Sequence, residues 1–311
     1  MLGPLNDLLF SLLIARMPEY PDVELYLHAL RIHICQKEIR NVVVKSPFLL
    51  RTFDPPMDQA IGQQIQSVSR IGKRIVWHLS NDLFLVFHLM ISGRYHRRKP
   101  GALPCSKTDL AVFQFDDFSL MLTEAGKKKR ASLHVVRQAS NLEEFDRGGL
   151  DVTRCDIDAF EKRILQHNKT VKLALIDPTI FDGIGNAYSD EILHAADMSP
   201  FARTNKLKRP SIEKLFAAIQ TTLQNWRQRL IEQTKDAFPE KVTAFRPEMA
   251  VHGKFGQPCP VCNVKVQRIR FSEREWNYCP GCQTNGKLLA DRSLSRLLKD
   301  EWPSSIEELA P

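Results

Sequence analysis

"CPVCNVKVQRIRFSEREWNYCPGC", residues 259–282, holds four of the chain's seven cysteines. Cys259 and Cys262 form one Cys-x-x-Cys pair, Cys279 and Cys282 a second, with sixteen residues between the pairs. Each pair can present two thiolates to one tetrahedral ion, and the separation is that of a zinc site. The intervening "VKVQRIRFSEREWNY" alternates apolar and polar residues as a β-hairpin does. So small a unit has no core of its own, so metal binding must supply much of its folding energy. Four protein ligands leave no open position for water. The spacing therefore predicts one structural Zn2+ on Cys259, Cys262, Cys279 and Cys282.

The other cysteines, Cys35, Cys105 and Cys155, are isolated. No secretory signal with a basic start and a small-residue cleavage site is present, which points to a reducing cytosol. The apolar run "LLFSLLIA", residues 8–15, is too short to span a membrane. A net charge of +8 favours polyanionic partners, nucleic acid first among them. At 311 residues there is room for two or three small domains.

From Asp22 to about Cys35 the apolar residues Val23, Leu27, Leu30 and Ile34 recur at helical spacing, with Pro21 and Asp22 as a start signal. "IRNVVVKS", "IQSVSRIGKRIVWHL", "LFLVFHLM", "LAVFQFDD" and "FSLMLTEA" follow as short β-branched or aromatic runs parted by turn residues. They predict an antiparallel sandwich or barrel behind a leading helix. After a boundary in the region 140–152 the periodicity becomes helical, in "DIDAFEKRILQHNKTVKLALID", "NAYSDEILHAADM" and "SIEKLFAAIQTTLQNWRQRLIEQTKD". The fold class is α+β, with no internal repeat.

"FDGIGNAYSDEIL", residues 181–193, sits between helical stretches. Gly183 and Gly185 permit a tight turn, Asn186 can cap the next helix, and amides at a helix start can hold a phosphate. "GIGNAYSDE" followed by a four-cysteine finger resembles the helix–two-turn–helix DNA repair enzymes, formamidopyrimidine-DNA glycosylase and endonuclease VIII. "MPEYPDVE", residues 17–24, also resembles the start of that family, whose members lose the methionine and use the new N-terminal proline as nucleophile.

The resemblance runs from Met17 to about Lys287. It implies an N-terminal β-sandwich with its leading helix over 18–145, a helix–two-turn–helix domain over 150–248, and a zinc β-hairpin over 249–287. Residues 1–17 become an extension outside the functional enzyme and 288–311 a C-terminal tail. The implied function is a bifunctional glycosylase and abasic-site lyase for oxidised bases in base excision repair, acting on damaged double-stranded DNA held in a basic cleft. The enzyme would be a monomer, cytoplasmic and associated with the nucleoid, with no catalytic metal. A non-catalytic damage-binding protein of the same fold is the alternative.

By resemblance Pro18 is the nucleophile, Glu19 the general acid and base, and Asp22 a supporting carboxylate. Lys73, in "RIGKRIVWHL", and Arg274, five residues before Cys279, reach phosphates beside the flipped nucleotide. Gly185 and Asn186 hold another. The chain departs from the pattern in three places. "HLMISG", residues 88–93, puts Ile91 where the family's wedge methionine stands. "EAGKKKRASL", residues 124–133, lacks the family's Arg-Phe pair, although Lys127, Lys128, Lys129 and Arg130 suit phosphate. Asp177-Pro178 replaces the usual Asp-Gln. These departures leave the preferred lesion open.

Overall fold

The computed structural model describes residues 17–271, 274–289 and 305–309. The expectations for residues 1–16 and for most of the tail lie outside them. The described residues group into two compact units. One runs up to Gly149 and takes in Gln224–Ala244; the other holds Leu150–Leu223 and the chain from Phe245 onward.

The first unit opens with α1, Tyr20–His33. The Asp22 carboxylate accepts the Glu19 N–H at 3.1 Å, and Pro21 brings its fixed φ to the first turn. The stripe read from the sequence is buried: Val23, Leu27, Leu30 and Ile34 are each at most 1% exposed. Eight strands follow: β1 Asn41–Val44, β2 Ile65–Ile71, β3 Arg74–Leu79, β4 Leu83–His88, β5 Gly93–Arg98, β6 Asp109–Gln114, β7 Ser119–Glu124 and β8 Ser132–Arg137. They form two separate antiparallel sheets, β1-β6-β7-β5 and β2-β3-β4-β8, so the architecture is a sandwich and not a barrel.

Aromatic rings join the two sheets. Trp77 of β3 lies 4.7 Å from Phe87 of β4, 5.0 Å from Phe113 of β6 and 6.1 Å from Tyr95 of β5, between ring centres. The outer face of the second sheet is also covered. Val76, Phe84, Val86 and Val136 pack there against Leu142 and Phe145 of the short helix Ala139–Phe145. Burial on both faces is why β4 reads as an unbroken apolar run.

The chain changes sheets between β4 and β5, through a turn with Met90 at φ +52°. Gly93 closes it. Its amide donates to the Leu89 carbonyl at 2.8 Å, and a Cβ there would stand 2.3 Å from the same oxygen. No side chain fits that approach.

The second unit is helical. It contains α2 Ile157–Leu165, α3 Val171–Leu175, α4 Asn186–Ala195 and the start of α5, Arg209–Thr234. The single helical pattern expected over 156–177 is two helices. Asp156 caps the first by accepting the Ala159 N–H at 2.8 Å, and Thr170 caps the second. The hairpin between the cysteine pairs is β9 Gln267–Phe271 and β10 Arg274–Tyr278, antiparallel, followed by α6 Pro280–Thr284. No described helix is long and apolar enough to cross a membrane.

Candidate active site and metal centre

In the first unit one end of the sandwich collects the predicted residues. Register pairs Arg74 with His88 and His88 with Ser132, while Gly93 pairs with Glu124. The β2–β3 turn, the 89–92 turn and the loop 125–131 therefore lie at a common end. Ser92 Oγ accepts the Gly126 N–H at 3.1 Å and joins two of them. The β2–β3 turn is only Gly72, at φ +62°, and Lys73. Pro18 and Glu19 stand at the start of α1, both buried.

Arg70 of β2 ties that helix start to the Lys73 turn. Its guanidinium pairs with Glu24 at 3.3 Å, lies 4.8 Å over the Tyr20 ring and donates to the Gly72 carbonyl at 3.3 Å. Arg227 holds the other Glu24 oxygen at 3.5 Å. Neither arginine was marked by a sequence motif.

Glu124, 1% exposed, organises the basic loop. Its Oε2 accepts the Arg130 N–H at 2.8 Å and the Ala131 N–H at 3.1 Å. Lys129 turns its ammonium back onto the Glu124 carbonyl, while Lys127, Lys128 and Arg130 are exposed. Ile91 sits half-buried in the 89–92 turn, its carbonyl accepting from Arg94 at 3.3 Å.

His88 adds a group that the sequence reading missed. Its Nδ1 accepts the Met90 N–H at 3.3 Å. Burial, and then the charges of Arg74 and Lys73, hold its pKa down at about 4. Burial and the charges of Arg74 and Arg51 also lower His134. The charged groups acting on both imidazoles are cations, so this end of the sandwich carries a positive field.

In the second unit Gly185, not Asn186, is the N-cap of α4. Asn186 is the first helical residue, and its Nδ2 donates to the Glu275 carbonyl of β10 at 2.7 Å, so its amide is drawn to the hairpin instead of capping the helix. Arg274 begins β10, opposite Phe271. The Glu275 carboxylate is held by Arg268 and Arg270, each at 3.6 Å.

Beneath this lies a buried charge network that the sequence did not announce. Lys172, fully buried, donates to the Asn186 carbonyl at 2.7 Å, to Ser189 Oγ at 2.8 Å and to Asp190. Asp190 also meets His252 Nδ1 at 2.7 Å. Glu191 accepts the N–H groups of Ala250, Val251 and His252 at 2.7–2.9 Å. Removing one partner of such a buried pair costs about 3–5 kcal/mol.

The four cysteines come together as expected. Their sulfurs all lie within 4.8 Å of one another, with Cys262 and Cys279 at 3.3 Å and Cys259 and Cys282 at 3.9 Å. An ion bound tetrahedrally at about 2.3 Å sets sulfurs about 3.8 Å apart, so this donor set fits a structural metal. Burial pushes the Cys279 thiol up to about 12 and raises Cys282 as well. At Cys262 burial is outweighed by hydrogen bonds, first from the Val264 backbone, and the thiol is lowered. A cation binding all four must displace protons, so its hold weakens as pH falls.

Residues 17–132 match the formamidopyrimidine-DNA glycosylase N-terminal domain and residues 150–234 the formamidopyrimidine-DNA glycosylase H2TH domain. A formamidopyrimidine-DNA glycosylase of Exiguobacterium sp. is 30% identical over 281 residues, covering 86% of this chain and 99% of the relative. Two solved structures cover 86% of this chain and 100% of their own. One is MutM in complex with DNA containing carbocyclic 8-oxo-G, at 26% identity and a TM-score of 0.75. The other is Lactococcus lactis FPG (MutM) with DNA containing an oxidised pyrimidine, at 27% identity and a TM-score of 0.75. From the paired domain matches, the near full-length relative and the shared fold, it follows that this chain belongs to the formamidopyrimidine-DNA glycosylase family.

Proposed function

We propose that this protein is a bifunctional DNA glycosylase and abasic-site lyase that removes oxidised bases from duplex DNA in base excision repair. The observation that carries the reading is the buried Pro18–Glu19 pair at the start of α1, to which Arg70 fastens the Lys73 turn. The target nucleotide must leave the stack to reach it. The Pro18 nitrogen attacks C1′ and the base departs with the electron pair of the glycosidic bond. The Pro18 N–H proton passes to the departing base, the nitrogen lone pair so freed forms an iminium as the C1′–O4′ bond breaks, and Glu19 supplies the proton to O4′. The iminium acidifies C2′; Glu19, now a carboxylate, takes the C2′ proton, and the C3′–O bond breaks with its electron pair leaving on the 3′ phosphate.

Lys73, the exposed Lys127, Lys128 and Arg130, and the cationic surroundings of His88 suit the phosphodiester backbone. In the second unit Gly185, Asn186 and Arg274 take that role, Arg274 through its planar fork. Ile91 takes the wedge position. The cysteine centre holds one structural zinc through Cys259, Cys262, Cys279 and Cys282.

The deciding experiment incubates the protein, begun at Pro18, with duplexes bearing one 8-oxoguanine, one ring-opened purine or one oxidised pyrimidine. Free base and strand scission from at least one duplex is the expected result. Tight binding to all three without base release would instead identify a damage-binding protein. A finer expectation concerns grip. Arg274→Ala should weaken binding to an abasic duplex and reduce the slope of log K against log salt by about 0.9, the loss of one charged phosphate contact, whereas Asn186→Ala, which removes a neutral donor, should weaken binding and leave the slope unchanged. Unchanged affinity for Asn186→Ala would confine its amide to holding β10.

A further inference from the structure

We propose that His194 is a positioning residue of the metal centre, donating an Nε2–H hydrogen bond to the Cys259 sulfur. The two atoms are 3.3 Å apart, and both residues are buried, His194 at 7% and Cys259 at 0% exposure. A metal-bound thiolate can only accept, so the ring nitrogen facing it is the donor. Four thiolates around a divalent ion leave a net charge of −2. Cys262 is exposed and can share that charge with water; Cys259 cannot. Among the described residues its donors are the Val261 N–H at 3.5 Å and His194. A buried anion without donors is strongly penalised. An apolar residue at 194 would fill the space and leave the sulfur short.

The bond has a second consequence, because His194 belongs to a regular face. Residues 186, 190, 194 and 198 follow one another at four-residue intervals along α4 and just past its end. Asn186 holds Glu275, Asp190 holds His252, His194 holds Cys259, and the Met198 carbonyl accepts Gln283 Nε2 at 2.9 Å. This side of α4 is a rail to which the finger and the segment leading into it are fastened. His194 is the point where the rail meets a metal ligand directly, and so the point at which metal occupancy is coupled to the helix start at Gly185 and Asn186.

The test needs no DNA, so it stands or falls apart from the glycosylase reading. The protein is loaded with Co2+ and the sulfur-to-cobalt charge-transfer band is recorded during competition with a chelator. His194→Leu should shift the band to lower energy, because a thiolate relieved of an N–H donor is richer in electrons. It should also weaken metal binding about 10–100-fold. His194→Gln, which keeps an N–H donor, should move both back towards the native values. In the native protein loaded with cadmium-113, the His194 Nε2–H proton should show scalar coupling to the metal through Cys259. An unmoved band in His194→Leu, or no coupling in the native protein, overturns the proposal.

Discussion

A chain whose first residue is Pro18 should become covalently joined to abasic-site DNA when borohydride is present, and a chain in which Pro18 is still bonded to Met17 should not. The difference follows from the nitrogen. A chain-terminal amine titrates near 7.7–8.0, against about 10.4 for lysine, so a useful fraction is unprotonated at neutral pH. An amide nitrogen has delocalised its lone pair and does not attack C1′. Trapping should fall by at least about 100-fold in the extended chain, the low end of what a positioned catalytic group contributes. The pH profile identifies the nucleophile as well. Trapping by a terminal amine rises through about pH 8 and then levels, whereas trapping by Lys73 would still be climbing towards about pH 10. Pro18→Gly keeps a terminal amine and should trap more weakly. Equal trapping by the extended chain, its mass verified intact, would move the chemistry to a lysine.

Cys279→Ser should empty the cysteine centre and loosen the grip on DNA while leaving the sandwich folded. Around the cysteines, among the described residues, Val251, Cys259, Val266 and Cys279 form a small buried cluster, with Ala250, Val264 and Cys282 against it. So small a cluster cannot hold the two Cys-x-x-Cys turns in place without the ion. The sandwich core draws on none of these residues. Elemental analysis should fall from one zinc per chain to almost none. Affinity for an abasic duplex should drop tenfold or more, since hydrogen bonds to charged groups are worth about 1.5–3 kcal/mol and each 1.4 kcal/mol is tenfold. Stoichiometric zinc in the variant would refute the ligand assignment.

The parts of the fold that could be read from the sequence are those in which one residue type has one use. Four cysteines at metal spacing, the stripe from Val23 to Ile34, and the glycines before α4 each answer to a single local rule. The sheet-to-sheet crossing did not show, because the tight approach of Gly93 to the Leu89 carbonyl is a local turn that gives no sign of which sheet the next strand will join. Strands β3 and β4 hid their alternation because Leu142 and Phe145, more than fifty residues on, cover the second face. Asn186 looked like a cap because Asn commonly is one. Its partner Glu275 lies 89 positions away. Lys172, Asp190 and His194 carried no mark in the sequence, since burial of a polar side chain leaves no trace in local periodicity.

The sandwich is not finished where its last strand ends. Leu230, Phe238 and Val242 belong to its buried core. His33 Nε2 meets the Asp236 carbonyl at 2.8 Å, and Arg94 reaches the Val242 carbonyl. On a ribosome, β8 emerges nearly a hundred residues before these partners do. Throughout that interval the nascent sandwich exposes the apolar surface that they later cover, while α2, α3 and α4 are already free to form. Synthesis thus imposes an order: the first unit to begin is unable to close its core until most of the helical segment has been made. A ribosome stalled with Ala244 still inside the exit tunnel should present a protease-sensitive sandwich, and one stalled some forty residues later a resistant one.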